Sequence, residues 1–199
     1  MLFRNKTSLT AIAFGAACAA IVPNEAQSWD NTAQWTPLID AVSIRLTIAD
    51  QVALIKWDTG QPIEDLRREQ AVIAAAVRDA PAHDLSGTYA AAFFADQIEA
   101  NKLIQYGLLA RWHRSGSAPQ IPRADLRTMI RPQLDALDPR LLQALSDARQ
   151  IRSAPDCANA LARSAHKYAI EHHYDALHAV AFDRALARVC TASTTDSVE

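Results

Sequence analysis

The stretch TPLIDAVSIRLTIADQVALIKWDTGQPIEDLRR, residues 36–68, decides how the rest of the chain is read. Leu38, Val42, Arg45, Ala49, Val52 and Lys56 recur at alternating steps of four and three, which puts them on one stripe of a helix. The spacing predicts a helix from about Thr36 to Trp57, ended by Gly60 and Pro62. A second helix opens at Pro62-Ile63-Glu64-Asp65 and runs to about Asp79. Two members of the stripe are cations. A cation on a packing stripe is costly to desolvate unless something anionic meets it there.

Working outward, the chain has 199 residues, half of them hydrophobic, with 5 glycines. That composition suits one globular domain with a sizeable core. Helix formers abound and β-branched residues rarely alternate, so the class is all-α: a bundle of about six helices with a C-terminal helical extension. The amino terminus is set apart. Arg4 and Lys6 precede an apolar run from Leu9 to Val22, and Ala26-Gln27-Ser28 follows Pro23, the pattern of a secretory signal peptide over residues 1–28. Residues 29–199 then form the single mature domain. Phe14-Gly15-Ala16-Ala17 before Cys18 lacks the branched residue a lipoprotein signal carries. Removing Arg4, Lys6 and Glu25 leaves 18 basic against 21 acidic residues, a net charge of −3. No basic cluster points to nucleic acid or an anionic membrane, and no later segment is long and apolar enough to span one.

Downstream, a helix is predicted from about Ser86 to His113, with Phe94, Ile98, Asn101, Gln105, Leu108 and Trp112 on its inward stripe. Another runs from about Ala124 to Leu137 and carries Arg131. Asp138-Pro139 reads as an N-cap with proline at the first helical position, opening a helix to Ile151. The last helical region starts at Ser153-Ala154-Pro155, breaks near His172 and ends by Ala192. Trp35, Trp57 and Trp112 are assigned to the core. The two cysteines of the mature chain, Cys157 and Cys190, are read first as a disulfide in an oxidising compartment, with two buried thiols as the alternative.

The misplaced polar groups are Arg45, Lys56, Arg68, Asn101, Gln105 and Arg131: four cations, two neutral amides and no interleaved carboxylate. Arg45 and Lys56 lie about 16 Å apart along a helix axis, so long side chains leaning together can close on a small molecule. Such a set calls for a ligand with more than one carboxylate, held bidentately. It lacks a nucleophile paired with a base, a metal-ligand cluster and a phosphate-cradling glycine loop, so chemistry there would rest on positioning and electrostatics. A single arginine beside a helix stripe commonly snorkels to the surface; the set as a whole carries the reading. His166, His172, His173 and His178 lie beside Glu171 and Asp175, and are read as surface histidines rather than a metal site.

Leu38-Ile39-Asp40, Arg45-Leu46, Ala49-Asp50, Val52-Ala53, Lys56-Trp57, Pro62 to Asp65, Phe94, Asp96-Gln97-Ile98 and Gln105-Tyr106 together resemble the exported, all-helical chorismate mutases of the gamma subclass. The resemblance covers essentially the mature chain and is strongest from Leu38 to Trp112. It implies the rearrangement of chorismate, a dicarboxylate, to prephenate without a cofactor, on the route to aromatic amino acids. It also implies a periplasmic or secreted location and a homodimer with each site inside one subunit. By the same resemblance Cys157 and Cys190 pair as the disulfide of that subclass. Arg45, Arg68 and Arg131 would hold the carboxylates, Lys56 and Gln105 would donate to the ether oxygen, and Asn101 would lie against the ring hydroxyl. Gln105 stands where some relatives have glutamate, and Val72 where a glutamine can occur. Of the adjacent Arg67 and Arg68, Arg68 shares the packed face with Val72 and Ala75. A non-catalytic periplasmic helical module that binds a small dicarboxylate is the competing reading.

Overall fold

The computed structural model describes residues 32–191. The expected signal peptide at 1–28 and the polar tail from Ser193 lie outside the described residues. Among these, the elements are seven α-helices, one 3-10 turn and one π-helical turn, with no strand. Helix α1 spans Thr32–Thr59, α2 Leu66–Asp79 and α3 Gly87–Ser115. They are followed by α4 Arg131–Asp147, α5 Arg149–Arg152, α6 Cys157–Glu171 and α7 Ala176–Leu186. No described helix is long and apolar enough to cross a membrane.

Helix α1 is the axis of the bundle. It packs against α3, α4, α6 and α7, while α3 also carries α2 and α7 on its other sides. Residues on several faces of α1 are therefore buried, among them Trp35, Ile39, Leu46 and Leu54. It begins one turn before the expected Thr36, because fully buried Trp35 anchors that turn in the core. Trp57 and Trp112 meet edge to face at 6.0 Å where α1 and α3 end. A smaller apolar cluster of Ile48, Val52, Ile130 and Leu137 ties α1 to α4 and to the π-helical turn Leu126–Ile130.

The helix expected from about Ala124 begins at Arg131, after the π-helical turn. Two further expected boundaries move, and both matter for the site. Helix α2 does not open at Pro62. Asp65 is its N-cap, its carboxylate accepting from the Arg68 N–H at 3.1 Å, while the Asp65 N–H donates to Glu69 at 3.2 Å. Residues 60–65 stay an open connector, which leaves α1 through Gly60 at φ +65. Nor does Asp138 cap a new helix: α4 runs through Pro139 without a break. Pro139 removes only the one N–H that would meet the Asp135 carbonyl, and its ring is tolerated in a helix that buried Leu137, Leu141 and Leu142 hold against the core. The side chain of Asp138 is thereby free for another partner.

The C-terminal pair α6 and α7 breaks at His172–Asp175, near the predicted place, and is closed by the Cys157–Cys190 disulfide with a Cα–Cα distance of 5.9 Å. His178 on α7 is no surface histidine: it bridges Asp50 of α1 at 3.0 Å and Asp175, the N-cap of α7, at 2.7 Å. Those partners, the hydrogen bond to Asp50 foremost, raise His178 from its ordinary 6.5 to about 9.

Reduction of the disulfide, which closes a separation of 33 residues, is expected to cost about 3–4 kcal/mol of stability, read as a fall in urea midpoint with reductant present. The His178 bridge is present in full below pH 6.5 and is lost as pH rises through about 9. Wild type should lose roughly 1–2 kcal/mol across that window, and His178→Gln should not show the decline.

Candidate active site

One cavity of about 350 Å³ opens between α1, the connector after it, α2, α3 and the start of α4. Arg45, Lys56, Arg68, Asn101, Gln105 and Arg131 all line it. The structure thus brings together every polar residue singled out from the helical stripes, from four helices of one chain. Arg67 is exposed, and Arg68 is the member of the pair on the wall.

Arg45 is 4% exposed. Its Nη1 donates to Asp138 at 2.8 Å, and its guanidinium lies 6.0 Å from the Phe94 ring centroid. Burial lowers Arg45 from the usual arginine value against the pull of Asp138, and burial likewise raises Asp138 against the pull of Arg45. Each ion is the other's partner in a site largely shut from water. Lys56, half buried, donates from Nζ to the Ile63 carbonyl at 2.6 Å, which draws the connector over the end of α1. Burial lowers its pKa, while Asp65 and Glu69 oppose the shift.

Arg68 pairs with Asp135 and Arg131 lies 3.6 Å from Asp65, both pairs well exposed to solvent. On α3, Gln105 donates to the Asn101 side-chain oxygen at 2.6 Å, and Asn101 donates to the Arg45 backbone carbonyl at 3.2 Å. Gln105 Nε2 also donates to the Asn101 carbonyl at the longer distance of 3.4 Å, while its buried Oε1 has no hydrogen-bond partner among the described residues.

Several wall residues escaped the helical-stripe reading. Lys102 pairs with Glu69 at 3.3 Å and with Glu99 at 2.7 Å. Glu64, Asp65 and the rest of the connector from Gln61 also face the cavity. Lys102 stands one residue off the Asn101 stripe and Glu69 one residue off Arg68, positions a strict periodicity assigns to the surface. Their adjacency to the stripe was the one usable signal.

The lining carries five cations and three carboxylates, a net of two positive charges. Val52, Val72, Ile98, Leu126 and Leu134 add an apolar surface on which a small ring can lie. Asp135 and Asp138 stand behind the wall, outside the lining, and neutralise what remains. With the exposed pairings of Arg68 and Arg131 opened, the arrangement can hold a compact dianion on an apolar floor and surround it with N–H donors.

Comparison with known proteins agrees with that chemistry. The family model of chorismate mutase type II matches residues 36–106. The secreted chorismate mutase of Mycobacterium tuberculosis is 34% identical over 164 residues, covering 82% of this chain and 81% of the relative. A chorismate mutase structure from Burkholderia phymatum superposes with a TM-score of 0.79 at 43% identity, covering 81% of this chain and 98% of the other. One from Burkholderia thailandensis gives 0.76 at 39% identity, covering 79% and 99%.

Proposed function

The chain belongs to the chorismate mutase family, and from that premise we infer that its cavity converts chorismate to prephenate, the work of an isomerase acting within one molecule. The observation that carries the reading is the convergence of the six stripe residues, four cations and two amides, on one cavity. The reaction breaks one C–O bond and forms one C–C bond inside the substrate, so no nucleophile or external proton is required. Catalysis then consists of holding the compact conformer and meeting charge as it develops.

In this reading Arg45, Arg68 and Arg131 grip the two carboxylates. The exposed pairings of Arg68 with Asp135 and of Arg131 with Asp65 exchange for substrate at small cost, since solvent already screens them. Lys56 spends one N–H on the Ile63 carbonyl and keeps two, which point donors at the ether oxygen as it gains negative charge. Gln105 supplies the second donor there. Asn101 fixes the Gln105 amide and faces the ring hydroxyl. Val72 offers packing and no polar contact.

Export belongs to the same proposal. The amino-terminal pattern at 1–28 is that of a signal peptide, and the Mycobacterium tuberculosis relative is a secreted protein. A homodimer is also part of it, each subunit carrying a complete site. The competing reading, a periplasmic module that retains a dicarboxylate without transforming it, is separated by turnover.

Purified mature protein should deplete chorismate and yield prephenate, convertible by acid to phenylpyruvate; retention without depletion would establish the binding module instead. Lys56→Ala is expected to lower kcat/KM by about a hundredfold or more with the circular dichroism of a folded bundle. Because an amide needs no proton to donate, activity should be flat from about pH 5 to 7.5. Its alkaline limb should fall below the ordinary lysine value of 10.5, where Lys56 discharges. A collapse between about pH 5 and 7.5 would remove Gln105 from its role.

A further inference from the structure

The Arg45 guanidinium is the most enclosed cation of the wall, with the Lys102–Glu69 pair next at 13% and 18% exposed. The Arg45 side chain is 5% exposed and that of Asp138 18%, against 33% and 55% for Arg68 and Asp135, and 38% and 49% for Arg131 and Asp65. Among the described residues Asp138 is the one hydrogen-bond acceptor that meets the guanidinium, at Nη1, and buried Nε has no partner. The Phe94 ring centroid lies 6.0 Å from the guanidinium carbon. Asp138 in turn sits on a stretch of α4 that is packed into the core, with Leu137 at 3% and Leu141 at 0% exposure on either side of it in sequence. It does not line the cavity.

From this geometry we propose that Asp138 is a positioning residue for the rearrangement, acting through Arg45: it clamps one edge of the guanidinium from behind so that the unclaimed N–H groups are presented to the substrate. The inference rests on the reading of the cavity given above. Asp138 is fixed by helix packing and Arg45 by Asp138, a chain of constraint that runs from the core to the reacting molecule. A carboxylate that merely neutralised a buried arginine would affect stability and leave the rate to the other wall residues. A positioning carboxylate leaves a different signature, because it is itself negative. Removing its charge makes the cavity more positive, which favours a dianion in the ground state. The same removal frees the guanidinium to turn, and the transition state loses an aligned donor. Rate and binding must therefore move in opposite senses.

The experiment measures kcat and KM for chorismate, and prephenate binding by calorimetry. It compares wild type, Asp138→Asn, Asp138→Glu, Arg45→Ala and the double variant Arg45→Ala/Asp138→Asn. Asp138→Asn is expected to lower kcat about tenfold or more without raising KM, and Asp138→Glu, which keeps the charge at an altered reach, to fall between it and wild type. In the Arg45→Ala background the Asp138→Asn change should cost less than about twofold. A kcat for Asp138→Asn within about twofold of wild type, or a loss that multiplies in full onto Arg45→Ala, overturns the proposal. Should Asp138→Asn not fold, a wild-type kcat for Asp138→Glu overturns it and a reduced kcat with unraised KM supports it. A wild type that binds prephenate but leaves chorismate intact defeats the proposed function. The same cycle, read in prephenate Kd with Asp138→Glu as the partner variant where Asp138→Asn does not fold, then decides this inference, coupling supporting it and additivity overturning it.

Discussion

Charge enclosed in an apolar bundle is the constraint from which the rest of this structure follows. Helix α1 is buried on several faces yet carries Arg45 and Lys56 on its packing stripe. Neither can be left bare, because an unpaired buried cation costs several kcal/mol. The fold answers with two devices. Asp138 reaches across 93 residues of sequence to meet Arg45, and the connector after α1 folds its Ile63 carbonyl onto Lys56. Each device also shapes the cavity, one from behind the wall and the other as part of it.

The same logic grades the cations by mobility. Arg45 and Asp138 are enclosed together and form a fixed element, while Arg68 and Arg131 hold their carboxylates at the solvent edge, where pairs exchange easily. A dianion entering the cavity can displace the outer pairings and find the inner one already set. Preorganised donors in a water-poor site are what an intramolecular rearrangement needs, since there is no covalent step to assist.

The remainder of the molecule holds α1 and α3 in register. Gly107 of α3 approaches α7 so closely that a Cβ there would come within 2.6 Å of Leu177. The disulfide closes α6 against the end of α7, and the His178 bridge ties α7 to Asp50 on α1. Gln97 on α3 donates to the Ala185 carbonyl of α7 at 2.7 Å. These contacts lie away from the cavity, and act on it only by keeping the two longest helices rigid.

The helices and the cations they carry were legible in the sequence because both are local properties. A step of three or four residues fixes which side chains share a face of a helix, so Arg45, Lys56, Asn101 and Gln105 could be placed on inward stripes before any packing was known. The partners of those cations were not legible. Asp138 sits before a proline, which reads as a helix start, and nothing local reveals that α4 continues and turns that carboxylate toward α1. Lys102 and Glu69 fall one residue off the stripe and reach the cavity only because its wall is wider than a single helical row. Periodicity is set within a few residues, whereas pairing between charges distant along the chain exists only once helices are packed. That packing decided which carboxylate answers which cation.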